Sequence, residues 1–291
     1  MSALTVSTLG APGISLPTVL SWLRDAGVTG LELRLSPGEI AHPAMTARAQ
    51  ADVAAAISDA GVTVTGIASY VQVASAANDE MVVGALASAM NLAAALRAPM
   101  VRVFPGAPVH PSAYSEKPEL QEPADEVAER AARRLSAVAH LAEDLGVYPA
   151  LETHDSHPQG ADIAGILERV DGPVGAIWDL MHPWRTGESL DESWHRLSPW
   201  LGRGAVQVKD ANLPSDATPV NIGDGTLPVD EFADLLIANG YDGPICLEWE
   251  KKWHPAAVDL PLALASTCAW FDRHWQGSQA GSQAERRERT A

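Results

Sequence analysis

The chain alternates between two textures. Short apolar runs, several rich in β-branched residues, occur at 3–9 (ALTVSTL), 30–35 (GLELRL), 62–69 (VTVTGIAS), 100–104 (MVRVF), 147–152 (VYPALE), 174–179 (VGAIWD), 204–209 (GAVQVK) and 244–249 (PICLEW). Between them lie Ala/Leu-rich stretches with helical spacing: Leu16–Ala26, Ala47–Ala60, Met81–Leu96, Glu126–Leu145, Ala161–Val170, Val229–Asn239 and Leu260–Trp275. The weakest of these surrounds Leu190–Leu197. The short runs predict strands and the longer periodic stretches predict helices. Several helices end in a Gly signal followed by a strand: DAGVTG, DAGVTV, DLGVYP and ANGYDG. Glycine just past a helix supplies the left-handed cap.

Eight uninterrupted βα units predict a parallel sheet closed into a single (β/α)₈ TIM barrel. The competing doubly wound sheet normally carries a Gly-rich phosphate loop after its first strand, and STLGAPGIS does not fit that pattern. The longest break, residues 104–125, is Pro-rich and follows the fourth strand. It is expected to form a lid or a substrate wall. The catalytic domain is expected over 1–275. Residues 276–291 (QGSQAGSQAERRERTA) are polar with nothing to bury and are expected to form a disordered tail.

Composition narrows the function. The net charge of −17 argues against nucleic acid as a partner. No apolar run approaches the length that spans a bilayer, so no membrane is implied. MSALTVSTLGAPG lacks the basic-then-apolar order of a secretory leader. Cys246 and Cys268 have no framework spacing, which fits reduced thiols and a cytoplasmic location.

Barrel active sites form where strands end and βα loops begin. The fifth strand ends in Glu152, then His154. The sixth ends in Asp179, followed by His182. The seventh gives Gln207, Lys209 and Asp210, and the eighth gives Glu248, Glu250 and Lys251. Earlier strands contribute Glu32, Arg34, Ser69 and Arg102. Each alone reads most simply as half of a structural ion pair. Three carboxylates and an amide from four consecutive strands are a different matter, because unpaired buried carboxylates are costly. A cation is expected to hold Glu152, Asp179, Gln207 and Glu248, and oxygen-rich ligation favours Mn²⁺, then Mg²⁺ or Co²⁺.

The motifs LETH, WDLMH, VQVKD and NIGDGTLPVDEFADLLIANGYDGPICLEWE resemble the xylose isomerase-like barrel superfamily. The resemblance runs from Leu4 to about Trp270. It implies one divalent metal bound by Glu152, Asp179, Gln207 and Glu248, with His182 contacting substrate. The chain departs from the family's H-x-K-D, which reads Q-V-K-D here, and a weaker, harder Gln donor argues against zinc. The shared chemistry is proton abstraction next to a carbonyl, as in sugar isomerases and epimerases. Glu152 and Glu248 are candidate proton carriers. His154 is a candidate general base or an orienter of Glu152.

The large subunit of bacterial C-glycoside deglycosidases is a second relative by resemblance. It implies a lyase acting on a 3-oxo-glycoside, with a His base and a small β-rich partner subunit. Otherwise a homo-oligomer is expected. Arg102 and Lys209 are candidate substrate contacts or salt-bridge members. Trp184, Trp249 and Trp253 are candidates to wall the pocket or stack on a sugar, the alternative being packing. His157 and Asp155 are assigned to the loop, with His157 expected at the surface. A repair endonuclease is set aside, because the third and fourth strands end without the His it requires. A scaffold with a decayed site is the non-catalytic alternative.

Overall fold

The computed structural model describes residues 2–288, with side-chain surroundings given through Trp275. Eight parallel strands close the barrel: β1 (Ala3–Ser7), β2 (Gly30–Arg34), β3 (Thr63–Gln72), β4 (Met100–Phe104), β5 (Tyr148–Glu152), β6 (Gly175–Asp179), β7 (Ala205–Val208) and, after the small antiparallel hairpin β8 (Asp210–Asn212) and β9 (Asp216–Val220), β10 (Pro244–Leu247). β10 closes the ring by pairing with β1 in parallel, Ala3 opposite Pro244. The outer ring comprises α1 (Leu16–Ala26), α2 (Ala47–Asp59), α3 (Asp79–Ala95), α4 (Ala124–Ser136), α5 (Ala139–Leu145), α6 (Gly160–Leu167), α7 (Met181–Arg185), α8 (Leu190–Leu197), α9 (Val229–Ala238) and α10 (Leu260–Glu288).

Four of these helix ends obey the Gly signals. Gly27 takes φ +70°, and Val28 N–H then returns to Leu23 O at 2.9 Å, which satisfies carbonyls that the helix end leaves open. Gly61, Gly146 and Gly240 adopt the same left-handed region. The expected single helix over Glu126–Leu145 is instead broken into α4 and α5. Residue Val138, at φ −104° and ψ 9°, sits at the break. The weakly patterned Leu190–Leu197 is a full helix, started by a capping box between Ser189 and Glu192. α10 continues as backbone helix to Glu288, and the expected tail over 276–291 lies outside the residues whose surroundings are described. Among the described residues, no helix is long and apolar enough to cross a membrane.

Strand alternation builds the interior in layers. Side chains at i and i+2 face the same side of a strand. Met100, Ala150, Ile177 and Ala205 form an apolar cluster of their own, separate from the shell between strands and helices. Two residues further along the same four strands stand Arg102, Glu152, Asp179 and Gln207, all buried. The apolar layer is a floor, and the polar layer above it is the base of the site.

Candidate active site

Each strand end contributes one member of the polar layer. Register places Glu152 opposite Ile177 and Asp179 opposite Gln207, which itself pairs with Cys246 two residues before Glu248. One oxygen each of Glu152, Asp179 and Glu248 falls within 4.8 Å of the others. Two internal cations interleave with them. Lys209 Nζ lies 2.8 Å from Asp179 Oδ2, 2.6 Å from Glu248 Oε2 and 2.7 Å from Glu250 Oε1. Arg102 donates from Nη1 to Glu248 Oε1 at 3.0 Å, and its Nε stands 3.3 Å from Glu152 Oε2.

The cations are unevenly shared. Burial works to raise the Glu248 carboxyl, but Lys209 and Arg102 outweigh it and pull it down to about 2. Burial dominates at Asp179, which is pushed up to about 7, and at Glu152, which is raised well above the usual carboxylate range. Both Glu152 oxygens lack a hydrogen-bond donor, as does Gln207 Oε1. The Gln207 amide nitrogen faces Glu248 Oε1 at 3.4 Å, so its carbonyl oxygen is the free end. Buried acceptors without donors, close together and short of positive charge, fit a hard divalent cation. Glu152, Asp179, Gln207 and Glu248 could hold one. Glu152, His154 and His182 form a second cluster of possible ligands, sharing Glu152.

Above the polar layer the site opens into a cavity of about 490 Å³, lined by Tyr70, Phe104, Arg102, His154, Glu248 and Trp253 among others. His154 stacks on Phe104 at 4.1 Å and meets His182 edge-on at 4.5 Å. Its Nδ1 lies 3.5 Å from Asp155 Oδ2, which leaves Nε2 as the nitrogen turned away from that carboxylate. His182 is buried, and burial holds it well below the usual imidazole range, so it is neutral.

The family model of the xylose isomerase-like TIM barrel matches residues 20–274. The chain belongs to that family. Solved structures with the same fold include a probable 3-DHS dehydratase from Bacillus anthracis, at 17% identity and TM-score 0.70, covering 91% of this chain and 98% of that one. Another is the IOLI protein with a bound zinc atom, at 15% identity and TM-score 0.73, covering 94% and 99%. A third is an L-ribulose 3-epimerase, at 19% identity and TM-score 0.71, covering 98% of both chains. A search of curated protein sequences returns no match.

Within this xylose isomerase-like barrel, several candidate residues sit where strand alternation puts them and others do not. Glu152, Asp179, Gln207, Glu248, Arg102 and Lys209 converge, with His154 and His182 above them. Trp249 lies outside the cavity: it is fully buried, and its Nε1 donates to Val258 O at 2.9 Å. It follows Glu248 by one residue, so it faces the helices. Trp184 lines a neighbouring cleft with Tyr114 and Arg185, whereas Trp253 stands at the cavity itself. Arg34 pairs with Glu39, five residues on. Lys209 pairs with the site carboxylates, and the oxygens of its neighbour Asp210 accept from Gly223 and Gly225 N–H in the NIGDG turn and from Leu227 N–H just beyond it.

His157 is buried, not at the surface, with Nδ1 2.9 Å from Ser156 Oγ. The loop it belongs to is a brace. Asp155 Oδ1 accepts from Gly106 N–H at 2.9 Å and Ser156 Oγ from Ala107 N–H at 3.0 Å, which ties the long loop after β4 to the end of β5. Tyr70 and Phe104 escaped the sequence reading. Their signal was position, since each is an aromatic residue at or near the end of a barrel strand.

Proposed function

We propose that the protein is a divalent-metal-dependent enzyme that abstracts a proton next to a carbonyl of a sugar or keto-sugar, in the manner of sugar isomerases and epimerases. The observation that carries this reading is Glu152. It is a fully buried carboxylate without hydrogen-bond donors, beside Asp179 and Glu248 and beneath an open cavity. A Mn²⁺ ion held by Glu152, Asp179, Gln207 and Glu248 would polarise the carbonyl and stabilise the negative charge that develops when the adjacent carbon loses its proton. An L-ribulose 3-epimerase is among the proteins that share this fold, in agreement with chemistry of this kind.

The residues divide the remaining work. His154 faces the cavity with Asp155 behind Nδ1, the arrangement of an oriented base that accepts a proton at Nε2. Glu248 is held by Lys209 and Arg102 and is a poor proton acceptor. This supports one base moving a proton between neighbouring carbons over exchange between two carboxylates. Both ring nitrogens of buried His182 lack a hydrogen-bond partner among the described residues, which supports a role for it in hydrogen-bonding a substrate hydroxyl. The two cysteines are free, in keeping with a reducing cytoplasm.

The same His154 geometry favours one second reading: a lyase that removes the proton beside the ketone of a 3-oxo-C-glycoside and expels the aglycone, with a small β-rich partner subunit. One assay separates the two. The Mn²⁺-loaded protein is incubated in D₂O with free ketoses and with a 3-oxo-C-glucoside, followed by NMR. Deuterium incorporation with a new isomer supports the first reading, and free aglycone supports the second. Neither product would sink both.

A further inference from the structure

We infer that the substrate drawn into this cavity is uncharged: a neutral carbonyl sugar or glycoside bearing neither phosphate nor carboxylate. The inference rests on the proposal that this cavity is the substrate site, and it adds the charge class of what enters.

The first ground is that, among the described residues, Arg102, Lys209 and Arg34 at the cavity are each already paired with protein carboxylates. Arg102 faces Glu152 with Nε at 3.3 Å, donates from Nη1 to Glu248 at 3.0 Å and from Nη2 to Ser69 O at 3.3 Å. Its guanidinium carbon also lies 4.4 Å from the centre of the Phe104 ring. Lys209 has three ammonium protons and three carboxylates within 2.8 Å: Asp179, Glu248 and Glu250. At the outer edge, Arg34 donates from Nε to Tyr70 Oη at 2.7 Å and pairs through Nη1 with Glu39. A phosphate or carboxylate needs converging donors, and each of the three cations already has most of its reach taken by a protein carboxylate.

The second ground is the sign of the field. Buried Glu32 interacts with Arg102, Lys209 and Glu248, so five carboxylates, with Glu152, Asp179, Glu248 and Glu250, share the two cations Arg102 and Lys209. With a divalent ion bound and all five ionised, the carboxylates still outnumber the four positive charges of the ion, Arg102 and Lys209. An anionic substrate therefore meets like charge in a poorly solvated site, where repulsion is strong. A polyol is the complementary ligand, because its hydroxyls donate to an acceptor-rich wall.

The third ground is what the mouth offers in place of charge. Tyr70 and Trp253 are 39% and 54% exposed there. The Arg34 guanidinium lies 5.2 Å from the ring centre of one and 5.5 Å from that of the other, a cation–π contact with each. Exposed aromatic rings suit the C–H face of a neutral pyranose or an aryl group.

Isothermal titration of the Mn²⁺-loaded protein with matched probes tests this. The pairs are D-fructose with D-fructose 6-phosphate, and phenyl β-D-glucoside with phenyl β-D-glucuronide. At low salt the neutral member of each pair should bind about tenfold more tightly or better, and the gap should narrow as salt screens the site. Trp253→Ala should weaken phenyl glucoside about fivefold. An anionic probe that binds as tightly as its neutral partner overturns the inference, and so does failure of every neutral probe to bind. Deuterium exchange reports on the reaction separately. A neutral probe that binds without exchange counts against the reaction alone, whereas preferred binding of an anion counts against the charge class alone.

Discussion

Lys209 Nζ lies 2.6 Å from Glu248 Oε2, deep in the polar layer of the barrel. This lysine is one of the two cations that let several carboxylates share one buried space. Removing it strands charge. Lys209→Met should destabilise the metal-free protein by about 3–5 kcal/mol, the usual cost of an orphaned buried ion. Part of that loss should return on adding Mn²⁺, which takes over the missing positive charge. Urea unfolding with and without Mn²⁺ checks both halves.

The uneven sharing of cations makes stability depend on pH. Asp179 is pushed up to about 7 from an ordinary 3.8, so folding disfavours its ionised form. Its contribution is present below about pH 4 and is lost as pH rises through about 7. Glu248 runs the other way: held at about 2, it contributes above its ordinary 4.5 and loses that contribution as pH falls. The Tm of the metal-free protein should therefore decline between about pH 5 and 8, and the Mn²⁺-induced rise in Tm should grow over the same interval. A Mn²⁺ effect that is flat with pH contradicts this.

His154 is predicted to act in proton transfer and not in holding the metal. His154→Gln should lower solvent deuterium exchange into substrate by about 10²–10⁴-fold, with Mn²⁺ affinity kept within a few-fold. Asp155→Asn should cost less in exchange, since Asp155 reaches the proton only through His154 Nδ1. Loss of Mn²⁺ binding in His154→Gln would reassign this residue to the metal shell.

The two neighbouring tryptophans should part company. Trp249 is buried between barrel and helices, so Trp249→Ala should destabilise by about 3–5 kcal/mol. Trp253 stands at the cavity mouth, so Trp253→Ala should cost less than about 1 kcal/mol and act on ligand affinity instead. Thermal unfolding of the two variants decides between these assignments.

The difference between Trp249 and Trp253 shows what the sequence could and could not disclose. Strand position was legible from alternating texture and Gly caps, and strand ends therefore pointed to Glu152, Asp179, Gln207 and Glu248 before any geometry. Trp249 was a candidate to wall the pocket, although Glu248 beside it points inward and period-two alternation turns its neighbour to the outer face, where the structure buries it. What could not be read was pairing across the barrel. Arg34 meets Glu39 five residues on, and Lys209 reaches Asp179 at the end of β6 and Glu250 just past β10, since partners depend on register and side-chain reach. His157 was misplaced for a related reason. A polar residue after a strand looks exposed until the β4 loop, pinned by Asp155 and Ser156, is seen to cover it.

The central claim is that four strand-end residues hold one divalent cation, and EPR titration of free Mn²⁺ tests it most directly. The wild-type protein should bind one Mn²⁺ per chain. Glu152→Gln should lose that binding while remaining folded, because the amide keeps the shape of the buried carboxylate without its charge. Wild-type protein that binds no Mn²⁺, or a Glu152→Gln variant that binds it as tightly as the wild type, would contradict the account.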